Sequence, residues 1–226
     1  MNKFLLPLMI GVTAVIYIFI IPEEPLGIKI VFKLIPMILI IFYAFTRLPA
    51  ISITAHRLVI MGLFFCILGD AFIAVSFTAG LGAFLIGHLF YLSGFLKVSL
   101  MDRMRLASIL PILLYSFIMG SKIISSLLAD GNQMLIIPVI AYILAISLMA
   151  LSAIQTRNIR AIFGSILFVI SDSILSWNMF VSDITHSGVF IMTTYYFAQF
   201  LIASSLTTLW KNAGHNREID ISKASI

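Results

Sequence analysis

Charge is scarce in this sequence. Only 10% of its 226 residues are Asp, Glu, Lys or Arg, and 62% are hydrophobic, whereas a soluble domain carries about 25% charged residues. Too little polar surface is available to cover a water-soluble globule, which indicates an integral membrane protein. Cysteine is scarcer still: Cys66 stands alone inside an apolar run, so no intrachain disulfide can form. The formal charge of +5 is not gathered into a basic stripe. Its Lys and Arg residues sit singly in short links, a pattern of membrane topology rather than of nucleic-acid binding. Also missing are an H-E-x-x-H or paired Cys/His spacing for zinc, a G-x-S-x-G elbow and a Gly-rich phosphate loop. No cofactor is expected, and an Asp/Asp/His site is the one metal arrangement left open.

What is present is a succession of long apolar runs. A helix needs about 20 apolar residues to cross the hydrocarbon core. The runs predict an all-α bundle of eight transmembrane helices at 4–21, 28–46, 57–76, 81–99, 106–127, 133–153, 159–180 and 188–210. The links are short and turn-rich, among them "PEEPLG", "SFTAG" and "ADGNQ", so neighbours run antiparallel in one domain over residues 1–210. The polar segment "KNAGHNREIDISKASI", 211–226, reads as a disordered tail. Lys3 precedes the first run as in a signal peptide. That run is long for such a segment, and "IPEEP" offers no small-residue cleavage site, so a retained helix is expected.

The charges then orient the bundle. Lys3, Arg47, Arg57, Lys97, Arg103, Arg105, Arg157, Arg160 and Lys211 fall on one side, and Glu23, Glu24, Asp130 and Asp183 on the other. Positive links stay cytoplasmic, which places both termini inside. A multi-pass protein of the cell membrane is expected, the inner membrane if the source is bacterial.

Against this apolar background a few polar residues stand out. "GLFFCILGDAFIAV", 62–75, and "GSILFVISDSILSW", 164–177, each hold one carboxylate, Asp70 and Asp172. A charge at the bilayer centre costs at least about 2.5–3.5 kcal/mol, and such residues usually face the bundle interior and mark a site. At about 1.5 Å of rise per residue, Asp70 lies about 20 Å from the nearest basic residue of the positive links, Lys33 about 21 Å, and Asp172 and Gln199 about 18 Å. His88 lies at about 13 Å, or about 18 Å if its helix ends near Leu100. Five helices thus present a polar group at nearly one level, with Tyr91, Asn178 and Tyr195 close by. Simpler readings exist for most of them. Lys33 can snorkel beside Lys29, and His88 can donate to a carbonyl. Tyr195, Tyr196, Trp177 and Trp210 can form an interfacial belt, and Gln199 can bridge helices. Asp70 and Asp172 are too deep to reach an interface, and an ion pair with Lys33 would account for only one of them. Gly62, Cys66 and Asp70 recur every fourth residue, a small-residue stripe that permits close helix approach.

Two buried acids that feel each other titrate as a coupled pair. One can hold a proton while the other is ionised, the general acid and general base arrangement used to cleave glycosidic, peptide and enol-ether bonds. The segments that carry these residues resemble a known family. "MGLFFCILGDAFIAV", "GHLFYLSGF", "GSILFVISDSILSWN" and "YYFAQFLI" are similar to the motifs G-x-x-F-[SC]-x-x-G-D, H-x-x-Y, F-x-x-S-D and Y-Y-x-A-Q of the lysoplasmalogenase (YhhN-like) membrane proteins. They match at Gly62, Gly69 and Asp70, at His88 and Tyr91, at Ser171 and Asp172, and at Tyr195, Tyr196 and Gln199. Lys33 and Pro36 supply the K-x-x-P of the second span. Departures are small: Cys66 replaces a frequent serine, and Leu34 a frequent proline.

The resemblance implies an eight-helix enzyme hydrolysing the vinyl ether of lysoplasmalogens to a long-chain aldehyde and glycerophosphoethanolamine or glycerophosphocholine. Asp70 and Asp172 would be the catalytic pair. Lys33, His88, Tyr91, Asn178, Tyr195 and Gln199 would bind a lysophospholipid within the bilayer. Membrane lipids are the expected surroundings; no nucleic acid and no obligate protein partner are expected. Two rivals remain at this stage. A proton-coupled transporter also uses intramembrane Asp, His and Lys, although the broken helices and inverted repeats common in transporters are not evident. An intramembrane aspartyl protease resembles the "LGD" here but wants G-x-G-D and Y-D.

Overall fold

Apolar runs interrupted by turn residues fold as the sequence predicts, into helices with no strand among the described residues. The computed structural model describes residues 4–50, 52–99 and 107–209. Among them lie eight α-helices: α1 (Leu5–Phe19), α2 (Leu26–Thr46), α3 (Thr54–Ile73), α4 (Phe77–Leu96), α5 (Ile109–Ala129), α6 (Ile136–Gln155), α7 (Ile159–Phe180) and α8 (Ser187–Ser205). A 3-10 turn at Gln133–Leu135 leads into α6. Lys3, Arg103, Arg105, Trp210, Lys211 and the tail 211–226, all used in the sequence reading, lie outside the described residues.

Six helices, α2 to α7, are long and apolar enough to cross a membrane, which makes the chain a multi-pass integral membrane protein. The expectation of eight equivalent spans meets a difference at both ends. α1 has only 15 residues, and α8 has 19, among them Ser187, Thr193, Thr194, Gln199, Ser204 and Ser205.

Boundaries moved where capping chemistry outweighs hydropathy. The sequence predicted one helix over 57–76, yet the helix begins at Thr54 and stops at Ile73. At its start, His56 Nδ1 accepts from the Ile53 amide at 3.0 Å, satisfying a donor that a helix N-terminus leaves free. At its end, Ser76 is the N-cap of α4 and accepts from the Ala79 amide at 3.4 Å.

The tightest seam joins α3 to α4. Ala55, Gly62 and Gly69 recur every seventh residue on α3, and Gly80, Gly87 and Gly94 do so on α4. The seams meet antiparallel. A Cβ on Gly94 would lie 3.2 Å from the Ala55 carbonyl oxygen, one on Gly87 3.2 Å from the Gly62 oxygen, and one on Gly80 2.6 Å from Ile73 Cα. Small residues let backbones approach where lipid gives no hydrophobic drive for helix association. The seam therefore repeats every seven residues. The predicted stripe splits: Gly62 and Cys66 meet α4, as Gly69 does, whereas Asp70 borders a cavity beside them. α7 and α8 make a second close pair, with Gly164 against the Ala198 carbonyl. The main buried core joins α1 to α4 with α6, α7 and α8, and α5 is held by a smaller cluster of Ile123, Leu127 and Val139.

Candidate active site

A cavity of about 400 Å³ at one end of the bundle is walled mainly by α2, α3, α7 and α8, with one residue each from α1 (Tyr17) and α4 (Phe84). α2 contributes Leu26, Lys29, Ile30 and Lys33, and α8 contributes Gly188, Ile191, Met192 and Tyr195. Both sets follow the i, i+3, i+4, i+7 spacing of one helix face. α3 supplies Asp70 and α7 supplies Asp172. Acids from distant stretches of the sequence thus share one chamber. It lies where α2 and α8 start and α3 and α7 end, the end opposite Arg47, Arg57, Lys97, Arg157 and Arg160.

Each acid has its own set of donors. Asp70 is fully buried and accepts on both oxygens: Lys33 Nζ lies 3.1 Å from Oδ1, and the Tyr195 hydroxyl donates to Oδ2 at 2.6 Å. Lys33 therefore turns inward to a carboxylate rather than snorkelling to the headgroups. Pro36, inside α2, has no amide proton to give the preceding turn. The Lys33 carbonyl in that turn takes a hydrogen bond from Tyr196 at 2.8 Å, tying α2 to α8. Among the described residues Asp172 is approached on Oδ2 alone, by the Tyr142 hydroxyl and by His88 Nε2 at 3.3 Å. Tyr142 and His88 also meet each other at 2.9 Å. Because the tyrosine hydrogen goes to the carboxylate, its oxygen is left to accept from a histidine protonated at Nε2. That tautomer leaves a bare Nδ1, the nitrogen for which no partner exists among the described residues.

The other predicted residues divide. Tyr91 donates to Gln199 Oε1 at 2.6 Å, a bridge between α4 and α8 that is buried behind the cavity and does not line it. His88 is also walled off, reaching the chamber only through Asp172. Asn178 is not brought in: its Oδ1 accepts from the Ile184 amide at 2.8 Å and shapes the link between α7 and α8. Trp177 donates to Ser182 in the same link. Among the described residues no three His, Cys, Asp or Glu side chains are grouped to hold a metal ion.

Three residues of the site escaped the sequence reading. Tyr142 looks like packing in "VIAYILA", although its depth was a usable signal: 15 residues before Arg157 puts it about 22 Å up, level with the acids. Lys29 lines the mouth of the cavity and pairs with the exposed Glu23. Tyr17 of α1 lines the chamber and packs edge-on against Tyr196, with ring centres 6.1 Å apart. Beyond Tyr196, α1 and α8 border a separate apolar groove of about 420 Å³. It is similar in size to the chamber but lacks any ionisable group except the Tyr196 phenol. Both carboxylates, Asp70 and Asp172, line the chamber and neither lines the groove.

Residues 28–206 match the model of the YhhN family. The chain is 28% identical to lysoplasmalogenase TMEM86B of Mus musculus over 90% of its own length and 86% of that protein's. It is 33% identical to lysoplasmalogenase TMEM86B of Sus scrofa over 58% of this chain and 54% of the pig protein. With lysoplasmalogenase TMEM86B of Homo sapiens the identity is 32%, covering 61% of this chain and 58% of the human one. No solved structure matches. The family match begins just before Lys29, runs through both acids and continues past Gln199, and so takes in every predicted site residue: the chain belongs to the YhhN family.

Proposed function

We propose that this protein is an intramembrane hydrolase of lysoplasmalogens, cleaving the vinyl ether to a fatty aldehyde and glycerophosphoethanolamine or glycerophosphocholine. The observation that carries the reading is the pair of carboxylates, each with its own donors, on the wall of one membrane-embedded cavity. The names of the mouse, pig and human relatives support the substrate class. In this reading all eight helices cross the membrane with both termini cytoplasmic. The positive links then lie inside, and the cavity opens toward the outer leaflet.

The alkenyl chain lies against Leu175, Met179, Ile191 and Met192, and the phosphate sits near the mouth between Lys29 and Lys33. Lys33 can turn from Asp70 to the phosphate, leaving Asp70 Oδ1 free to hold a proton. Tyr195 touches both acid and substrate. His88, Tyr91 and Gln199 act from behind, holding the acids and their helices in place. One carboxyl protonates the vinyl carbon beta to oxygen, and the other stabilises the resulting oxocarbenium or activates the water that captures it. The hemiacetal then collapses to aldehyde.

Purified protein and a lysoplasmenyl lipid in deuterated water test this reaction. The aldehyde should carry one deuterium on the carbon next to the carbonyl, at times too short for enolisation, and a saturated ether analogue should bind without reacting. Aldehyde free of deuterium removes the mechanism. Fatty acid, peptide fragments or proton flux without aldehyde removes the assignment. Lys33→Met should raise KM about tenfold, more than it lowers kcat. An unchanged KM leaves Lys33 as the counter-ion of Asp70 and nothing more.

A further inference from the structure

Asp172 borders more than the lipid chamber. It also faces a cavity of about 40 Å³ between α5, α6 and α7, and a second of about 30 Å³ beside α3 and α4. The first is lined by apolar residues and, unusually for a membrane interior, by six that carry hydroxyls: Tyr115, Ser116, Tyr142, Ser147, Ser173 and Ser176. Several are already anchored. Tyr115 donates to Ser173 at 2.7 Å, Ser116 and Ser147 meet at 2.7 Å, and Ser147 also donates to the Ile143 carbonyl at 2.6 Å. Each such oxygen keeps lone-pair capacity for a further donor. A space of this size holds a water, which needs about 10–15 Å³ and two to four polar partners. It is far too small for a lipid chain.

We propose that this hydroxyl-lined cleft is the binding site of the hydrolytic water, and that Asp172 takes that water's proton; the inference rests on the hydrolase reading above. Asp172 is suited to the task by its asymmetry. Tyr142 and His88 both engage Oδ2, holding the group as an acceptor and leaving Oδ1 for the water. Lipid and water then reach the reacting carbon from different sides of one carboxylate. Asp70 is by elimination the acid. Its carboxyl proton moves to the vinyl beta carbon as the double-bond electrons form the new C–H bond, and an oxygen lone pair completes the oxocarbenium. The water oxygen forms the C–O bond and its proton goes to Asp172. Collapse of the hemiacetal breaks the bond to the glycerol oxygen, which receives the hydroxyl proton. The proton on Asp172 returns to Asp70 through the chamber that both acids line.

Filling the cleft should starve the second step while sparing the first. Ser176→Val places two methyl groups where both small cavities meet α7. Under saturating lysoplasmenyl lipid, the wild-type rate should show a solvent deuterium isotope effect, because proton transfer to carbon limits it. In Ser176→Val, kcat should fall about tenfold with KM unchanged, and vinyl ether recovered unreacted from deuterated water should carry deuterium at its beta carbon, because slowed capture lets the protonation reverse. Ser147→Val, on α6, gives the same readout if the first variant does not fold. A wild-type rate, or a slower rate with no deuterium in the recovered substrate, overturns the proposal; the latter is what a loss of helix bridging alone would give. Failure of the hydrolase reading looks different, since the wild-type protein would then release no aldehyde at all.

Discussion

Asp70→Asn and Asp172→Asn should each leave a folded protein that cleaves vinyl ether about 100- to 10,000-fold more slowly, the range that a positioned proton donor or acceptor contributes. An amide keeps the shape of the carboxyl and can still accept from Tyr195 or from Tyr142. It can neither give up nor take the catalytic proton. The structural cost differs between the two. Asp70→Asn leaves Lys33 without its counter-ion, and removing one partner of a buried pair costs about 3–5 kcal/mol. The Lys33 side chain keeps 14% exposure toward the cavity, so it can turn to the mouth and avoid most of that cost. Asp172→Asn keeps an oxygen to which Tyr142 and His88 can both donate. Size-exclusion elution and aldehyde release measured on the same preparations separate folding from turnover. A variant that elutes normally and turns over at a near-normal rate removes that acid from the reaction.

A second large effect should come from a residue that touches no substrate. Gly87→Leu puts a Cβ 2.9 Å from Cys66 Sγ and 3.2 Å from the Gly62 carbonyl oxygen. The backbone of α3 cannot yield as a side-chain end can, so α4 must move away. Overpacking of this kind costs about 1–3 kcal/mol in a core that can adjust, and more is expected across a backbone contact. The displaced helix carries His88 and Tyr91, so activity should be lost with the folded population. Gly82→Leu lies five residues earlier on α4, where a Cβ would meet nothing within 4 Å. It should express, elute and turn over like the wild type. Equal behaviour of the two variants, whether both tolerated or both lost, would show that the seam does not set the packing of α3 on α4.

How legible all this was depends on what a residue costs. Asp70, Asp172 and Lys33 announce themselves because a charge in a hydrocarbon setting needs a reason, and their common depth follows from helix rise alone. Which acid takes which partner was not legible. The rotation of α2 toward α3, and of α4 toward α7, is set by packing among residues far apart in sequence. Tyr142 shows the complementary failure: a phenol in an apolar run has so many ordinary uses that only its depth, level with the acids, distinguishes it. Asn178 failed in the opposite way. A polar residue between one and two turns beyond Asp172 looked close to the site, but its amide serves the backbone of the next link. Helix number was plain from hydropathy, whereas the start of α4 was fixed by the hydroxyl of Ser76, which hydropathy does not weigh.

The brevity of α1 has a consequence for the surrounding lipid. Its 15 residues measure about 22 Å, against a hydrocarbon core of about 30 Å. In the eight-crossing topology proposed above, such a helix creates hydrophobic mismatch, which a bilayer meets by thinning around it. The thinned flank is also where Tyr17 meets the cavity and where the apolar groove between α1 and α8 runs. Headgroups there are drawn inward, shortening the distance that a lysolipid must sink before its ether linkage is level with the carboxylates. Membrane thickness and elasticity thereby become variables of the reaction, set by the lipids that surround the protein.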